Sequence, residues 1–457
     1  MGHSDIPWER DHWLGDVDPR PLAMLRVGMG LVLLQDIATR WPHRRALLSD
    51  EGMLPRGVQG EPWAWSLFDL FGAPSAVSLA LLIGAAIAVL LTIGFHTRVV
   101  TPLAWLFTQS LQNRNLFVGD GGDDFLRVLL FWAIFTDLGA VWSLDARRLG
   151  PRRAPALGAR LLALQVALVY AAAGLNKLRG SWLDPDIVYQ SLQHLGYLRP
   201  PGEALLAHPG LCRAIARFTL VAELTIPALI VSPVFVARCR GAAIVLDIAL
   251  QAGLFLTLRV GIWTGLLLIA SVLFLQPAWL DRVAALTLPT KLADAGWPSG
   301  WPSGWPFAAP LAVALVIQMA AVYLTIVHQP RWLDSELKWV GLNQGLDLFS
   351  RPIEVRRWRA PGELRDGRTI DDVLPLVEPE LQATSGWLFS RWTKFRFKGE
   401  PRLEALARYF CRRHAEKHPH APLASFTLVR DIHPPARPSE PAPEVRTEIL
   451  HQHRCGS

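Results

Sequence analysis

The sequence predicts an all-α polytopic membrane helix bundle of about nine transmembrane helices, followed by a small α+β extramembrane C-terminal domain. Three observations carry this. Of the 457 residues, 51% are hydrophobic and only 19% are charged, whereas a soluble chain of this length divides into domains with more charge. The apolar residues gather into repeated long runs, close to the roughly 20 residues a helix needs to cross a bilayer. After Val327 those runs stop and charge rises.

The elements follow in order. Met1 to Pro21 mixes acidic and basic residues and lacks the basic-then-apolar pattern of a cleaved signal, so the first helix is expected to stay in the membrane. The expected spans are Leu22–Ile37, Ser75–Ile93, Val99–Leu111, Phe125–Leu138, Leu161–Leu175, Ile215–Val236, Ala242–Leu258, Ile262–Leu275 and Ala308–Val327, within a membrane domain of residues 1–329. The aromatic stretch Trp63–Phe71 is too short to span and suits the membrane interface. Between Ala295 and Pro306 a repeated Gly-Trp-Pro-Ser makes a surface linker that cannot be helical throughout. Residues 330–434 read as the α+β domain. Trp392–Lys398 alternates like a half-buried strand, Pro401–His414 places Leu403, Leu406, Ala407 and Phe410 on one helical face, and Ala424–Val429 is another strand. The Pro-rich residues 435–457 are expected to be a disordered tail.

The net charge is +7, but the basic residues sit at the ends of apolar runs, where they orient helices rather than bind nucleic acid. The loop from Asp145 to Pro155 is the most basic and is assigned to the cytoplasm, with His96–Arg98 and Arg238–Arg240 on the same side. Alternation over nine spans then leaves the N-terminus inside and the C-terminal domain outside. Arg40–Arg56, with its His43-Arg-Arg, is a basic loop that falls outside against this rule. Cys212, Cys239, Cys411 and Cys455 show no CxxC or His/Cys spacing, so unrelated, mostly reduced thiols and no metal site are expected.

Several polar residues stand in apolar surroundings. Lys177 ends an apolar helical run beginning near Leu161, where a cation is costly without a task or a partner. Tyr170 and Ala173 share its face, and Gln165 and Asn176 an adjacent one. A lysine near a helix end also commonly snorkels to the interface, so a buried base and an interfacial anchor compete. The turn Asn113–Asp124 joins two apolar runs and, on the alternation above, reaches the same outer face as Lys177. Its Gly119, Gly121 and Gly122 permit a sharp turn and close approach to a ligand. Asp123 stands four residues before Arg127, the spacing of a local ion pair, while Arg114 with Asp120 or Asp124 would line an anionic or quinol pocket. Glu223, Asp247 and Gln251 lie inside spans, and the last two, four apart, share a face for either a site or helix-to-helix hydrogen bonding.

Asp18-Pro-Arg-Pro-Leu-Ala-Met-Leu-Arg-Val, Asn113-Arg-Asn, Trp142-Ser-Leu-Asp145, Gly174-Leu-Asn-Lys-Leu with Trp182, and Leu348-Phe-Ser-Arg-Pro352 occur in this order. In order and spacing they resemble the vitamin K-dependent gamma-carboxylase family and its bacterial membrane relatives, the horizontally transferred transmembrane domain (HTTM) proteins. The similarity covers most of residues 15–430, including the hairpin-like Leu364-Arg-Asp-Gly-Arg368. It implies that Lys177 is the base that starts chemistry on vitamin K hydroquinone, or on menaquinol. In that family the deprotonated quinol reacts with O2 to give an alkoxide that removes a proton from the γ-carbon of glutamate; CO2 then adds and the quinol leaves as an epoxide. Packing among Ala171, Ala172, Leu175 and Leu178 would give Lys177 a water-excluding setting suited to a base.

The resemblance also implies quinol contacts from Asn113, Arg114, Asn115, Tyr170, Asn176, Trp182 and Gln251. Where the animal enzymes carry a histidine shortly after an Asn-Asn pair, this chain has Gly122-Asp-Asp124, which makes Asp123 and Asp124 the candidate catalytic carboxylates. A second family histidine falls near Gln251. The expected function is therefore a quinol-dependent gamma-carboxylase of the bacterial inner membrane, with the lipid bilayer, the quinol and a glutamate-containing peptide or protein as partners and no metal. The competing readings are a quinone-linked oxidoreductase or epoxidase without carboxylation, and a non-catalytic helper in the maturation, export or immunity of a secreted peptide.

Overall fold

A proline in the first turn, where its missing N–H is no loss, begins three of the long helices: α1 (Arg20–Arg40), α2 (Pro74–Ile93) and α6 (Pro209–Val231). The others of the bundle are α3 (Thr97–Asn113), α4 (Gly121–Ala133), α5 (Ala156–Arg179), α7 (Val236–Thr257) and α8 (Trp263–Ala270). A two-residue bridge of β1 (Asp16–Val17) with β2 (Ala154–Pro155) ties the start of the chain to the start of α5. These elements belong to a computed structural model that describes residues 15–58, 62–193, 197–283, 354–381, 390–394, 400–441 and 443–456, together with 292, 337–339 and 342.

Five helical stretches are long and apolar enough to cross a membrane: Arg20–Leu48, Pro74–Ile93, Ala156–Arg179, Pro209–Val231 and Val236–Thr257. Among the described residues they match five of the nine expected spans. The helices α3, α4 and α8 have only 17, 13 and 8 residues and pack between the long ones. Polar residues cut the first two short: Gln109, Ser110, Gln112 and Asn113 end α3, and Asp123 and Asp124 begin α4. The expected span Ala308–Val327, the linker 295–306 and the motif Leu348–Pro352 lie outside the described residues.

Helix α7 turns apolar side chains outward and keeps Asp247 and Gln251 inside. Of its 22 residues α7 buries only Ala243, Asp247, Leu250 and Gln251, while Val245, Ile248, Phe255 and Leu256 are exposed. A helix whose surroundings are lipid is patterned this way, since its polar groups can be satisfied only against other helices. The protein is an integral membrane protein by this patterning.

The two ends of the bundle differ. At one end, Asp145 accepts the backbone N–H groups of His96 and Thr97 at 2.8 Å each, and Arg152 grips Asp137 through two bonds of 2.7 and 2.9 Å. The other end carries the C-terminal domain and also the basic loop that broke the charge rule. Its cations are neutralised locally: Arg45 meets Glu51 at 2.6 Å, Arg56 meets Asp50 at 2.7 Å and His43 lies 3.3 Å from Glu380.

In the C-terminal domain β6 (Leu423–His433) is the central strand, with β3 (Val355–Arg359) and β4 (Gly362–Leu364) along one edge and β7 (Arg446–Arg454) along the other. The expected hairpin joins β4 to β5 (Thr369–Ile370), and Gly367 takes the left-handed conformation at its tip, with φ +84°. Helix α9 (Glu400–Lys417) buries Leu403, Leu406, Ala407 and Phe410, as its pattern predicts. Three expectations are corrected. Arg391–Lys394 is a 3-10 turn, not the start of a strand, because Arg391 and Trp392 are drawn inward and buried; residues 395–399 lie outside the described residues. The tail is not disordered throughout, since β7 forms within it. Most of β7 is partly or fully exposed, so it is held by its ladder to β6 rather than by an apolar face, and hydrophobic period could not reveal it. Cys411 and Cys455 are joined in a disulfide that ties α9 to the end of β7, leaving Cys212 and Cys239 as thiols.

Candidate functional site

Gly174 lets α5 and α6 approach. A Cβ added there would lie 2.9 Å from the Leu224 Cδ2 and 3.2 Å from the carbonyl carbon of Glu223. One turn further along α5, the Lys177 Nζ reaches the two carboxylate oxygens of Glu223 at 2.8 and 2.7 Å. The Trp182 ring covers the ammonium, with Nζ 5.1 Å from its centroid. Lys177 is 3% exposed, so it does not snorkel to the interface. Nor is its setting the purely apolar one expected, because Leu175 and Leu178 point outward and a carboxylate faces the amine.

A second polar group lies on the same helix, two turns earlier. The Tyr170 hydroxyl donates to Asp247 Oδ1, and Gln251 Nε2 donates to the Tyr170 oxygen at 3.0 Å. All three residues are buried, and Glu223 lies within electrostatic reach of the phenol. The shared face of Asp247 and Gln251 is thereby turned onto α5. Gln251 Oε1 is one of the buried acceptors of the bundle that have no hydrogen-bond partner among the described residues. Asn176, half-buried on α5, accepts the Gly180 N–H through its backbone carbonyl at 2.9 Å. Chemically this face can hold a proton on Lys177 or Glu223, share another between Tyr170 and Asp247, and accept one hydrogen bond at Gln251.

In the Asn113–Asp124 segment most polar side chains are held by the fold itself. Asn113 Nδ2 donates to the Trp65 carbonyl at 3.0 Å, Arg114 Nη1 to that of Leu54 at 2.7 Å, and Asn115 Nδ2 to that of Leu47 at 2.8 Å. These three side chains staple the loop after α1 to the bundle, and Arg114 faces Asp50 at 3.5 Å rather than Asp120 or Asp124. The glycine-rich turn is the N-terminus of α4: Asp120 caps it by accepting from Gly122 N at 2.8 Å, and Asp123 Oδ2 accepts from Asp120 N at 3.0 Å. Gly122 packs closely on Ile262 and Trp263 instead of opening toward a ligand.

The carboxylate of Asp123 is met by Arg391 at 2.6 and 2.7 Å and by Arg40 at 3.4 Å. Arg391 and Arg40 also share Asp36, the latter at 3.0 Å. All four side chains are at most 2% exposed. Arg127 pairs with Asp124 at 2.8 Å, not with Asp123. This segment and the C-terminal end of α5 do reach one face, since the same C-terminal domain covers both: Arg391 binds Asp123, and Arg437 meets Asp184 at 2.8 Å. Their side chains nevertheless belong to separate clusters.

Sequence reasoning missed the partnership of Lys177 with Glu223, and it missed Asp36, Arg40 and Arg391 altogether. The i, i+4 spacing of Asp36 and Arg40 inside the first span was a usable signal; the contribution of Arg391 from more than 250 residues away was not. A further group, Glu404 with His451 and His453, gathers in the C-terminal domain with ligating atoms within 4.8 Å of one another.

Against known proteins, a family model described as the HTTM domain matches residues 15–279, more than half of the chain and all of the bundle described above. No curated protein and no solved structure matches. HTTM domains are membrane-associated and occur in vitamin K-dependent carboxylases. The chain belongs to the HTTM domain family.

Proposed function

We propose that this protein is a quinol-dependent membrane enzyme of the gamma-carboxylase type, with Lys177 as its base. The observation that carries the reading is a buried amine–carboxylate pair, Lys177 with Glu223, on the same helix as Tyr170, whose hydroxyl meets Asp247 and Gln251 two turns away. A quinol, when bound, supplies the reducing power and the hydroxyl proton on which the reaction draws. Lys177 Nζ is the group that takes such a proton, and Glu223, within 2.8 Å, stands ready to receive the one Lys177 must first release. Tyr170 and Gln251 fit as the groups that orient the ring: Gln251 Oε1 accepts a hydroxyl, and Asp247 holds Tyr170 in place. Trp182 closes over the amine and excludes water. Asn176 remains a contact of the same helix face. Asn113, Arg114 and Asn115 are spent on backbone carbonyls and are reassigned to support. Of the two carboxylates in the family's histidine position, Asp123 is enclosed by arginines, so a catalytic acid there falls to Asp124, whose side chain is 28% exposed.

The orientation proposed is N-terminus inside and C-terminal domain outside. A disulfide in that domain supports it, because such bonds persist on the oxidising side of a membrane. The deciding experiment uses purified protein with a quinol, O2, labelled bicarbonate and a glutamate-containing peptide. Quinol-dependent label in the peptide, lost in Lys177→Ala, is the expected result. Epoxidation without label selects the oxidoreductase alternative, and activity unaffected by Lys177→Ala overturns the base. For orientation, an impermeant thiol reagent should label Cys411 and Cys455 on intact cells only after reduction, and Cys239 only after permeabilisation.

A further inference from the structure

We propose that Glu404, His451 and His453 form a binding site for a divalent transition-metal ion of the zinc class, clamping β7 to α9 on the C-terminal domain. His451 and His453 are two apart on β7 and so project from one face of the strand. Helix α9 crosses that face with Glu404. Its Oε2 lies 3.1 Å from His451 Nε2 and 3.3 Å from His453 Nδ1. Those spacings match the edge of a zinc tetrahedron, about 3.3 Å for bonds of about 2.0–2.1 Å. The two imidazoles complete a set whose atoms all lie within 4.8 Å, so closing on an ion requires a side-chain adjustment on the order of 1 Å.

The surroundings agree with this assignment. Arg408 Nε holds the other oxygen of Glu404 at 2.9 Å, which turns Oε2 toward the imidazoles in the manner of an outer-shell support. The His451 and His453 rings lie nearly parallel, 25° apart, and Phe426 packs against His453. Partial exposure of 21%, 9% and 38% for the three side chains admits an ion from solvent. Two neutral imidazoles and one carboxylate leave a further coordination position for water, as in exchangeable rather than closed sites. The seam is the one the disulfide joins: Cys411 follows Glu404 by seven residues, two helical turns, and Cys455 follows His453 by two. Metal and disulfide therefore fasten the same strand to the same helix, one reversibly. The site is independent of the quinol chemistry inside the bundle.

The test uses full-length protein in detergent, stripped with a chelator and titrated with Zn2+ and, for its visible spectrum, Co2+. The expected result is one equivalent of Zn2+ bound, with affinity reduced ~10-fold or more in His453→Ala and in Glu404→Gln. His418→Ala, in the separate His414–His418 pair of α9, should change nothing. An intact Cys411–Cys455 disulfide on non-reducing gels certifies each variant as folded. Should a variant misfold, zinc-edge absorption on the parent protein decides: a shell with two imidazoles and carboxylate oxygen sustains the site, and a sulfur or all-oxygen shell overturns it. Binding well below one equivalent, or equal binding by parent and His453→Ala, leaves these residues as ordinary Glu–His hydrogen bonds and overturns it as well.

Discussion

The protein buries two groups of charge near one end of its bundle, and they are finished differently. In the seam under the C-terminal domain, Asp36 and Asp123 face Arg40 and Arg391, charges balance, and each carboxylate is held by both guanidinium groups. Between α5, α6 and α7, Lys177 faces Glu223, Tyr170 donates to Asp247, and Gln251 keeps an oxygen without a partner among the described residues. The first fastens two parts of the molecule. The second has spare capacity to hold protons and hydrogen-bond a guest. Buried charge is costly in either place, so burial by itself does not separate architecture from chemistry.

Replacing the pair together, as Lys177→Met with Glu223→Leu, removes both charges without stranding either, so the bundle should fold while quinol-dependent turnover falls about 10²–10⁴-fold, the usual worth of a general base. Turnover retained in that double variant would make the pair a fastener like the seam. Arg391→Ala should act in the opposite way, destabilising by about 3–5 kcal/mol because Asp36 and Asp123 lose a shared partner. Thermal unfolding and protease release of the C-terminal domain measure it, and an unchanged melting temperature would refute the seam's role. Gly174→Leu touches no charged group but crowds Leu224 at the α5–α6 crossing, at a cost of about 1–3 kcal/mol. It should lower activity together with stability. Asp124→Asn loses only a partly exposed i, i+3 pair, about 0.5 kcal/mol; a large loss of activity with that small loss of stability would mark Asp124 as the acid.

Acid supplies the weakest probe. Asp431 is held below the usual carboxylate range by hydrogen bonds from Arg359 and, against the effect of its burial, from Thr447. Stability from a depressed carboxylate is present above its unfolded pKa and lost as pH falls through the folded value. The outer sheet should therefore loosen below about pH 4, and Arg359→Ala should flatten that dependence. Because Arg359 is half exposed, the change is smaller than any at the seam.

Several polar residues of the candidate site were legible one at a time. Lys177 stood out because an amine in an apolar run is costly, Asp247 and Gln251 because four-residue spacing puts them on one face, and Tyr170 because it shares the face of Lys177. All four are buried, and Asp247 and Gln251 meet Tyr170. The conspicuous Asn113–Asp124 turn was legible as polar but not as structural, because a side chain that caps a helix and one that binds a ligand are the same residue types. The strand expected at Trp392 failed for a related reason: its alternation was real, but Arg391 is drawn to Asp123 from across the fold. Strand β7 and the Cys411–Cys455 bond were invisible because backbone ladders and thiol pairs leave no hydrophobic period.

The sequence by itself determined the solvent of this protein and the class of its fold. Long apolar runs cannot be hidden in water, and charge at their ends orients them, so lipid and helices follow from composition and period. It determined too that Lys177 needs a partner, since a lone ammonium in an apolar run is unfavourable. Only the tertiary structure decided that the partner is Glu223, 46 residues away and brought near by the close crossing at Gly174. It likewise decided that Asp123 answers to Arg391, and that Glu404 meets two histidines from the end of the chain. Periodicity records which face a residue takes; which other face lies opposite is settled by packing, and packing is where these charges are paired.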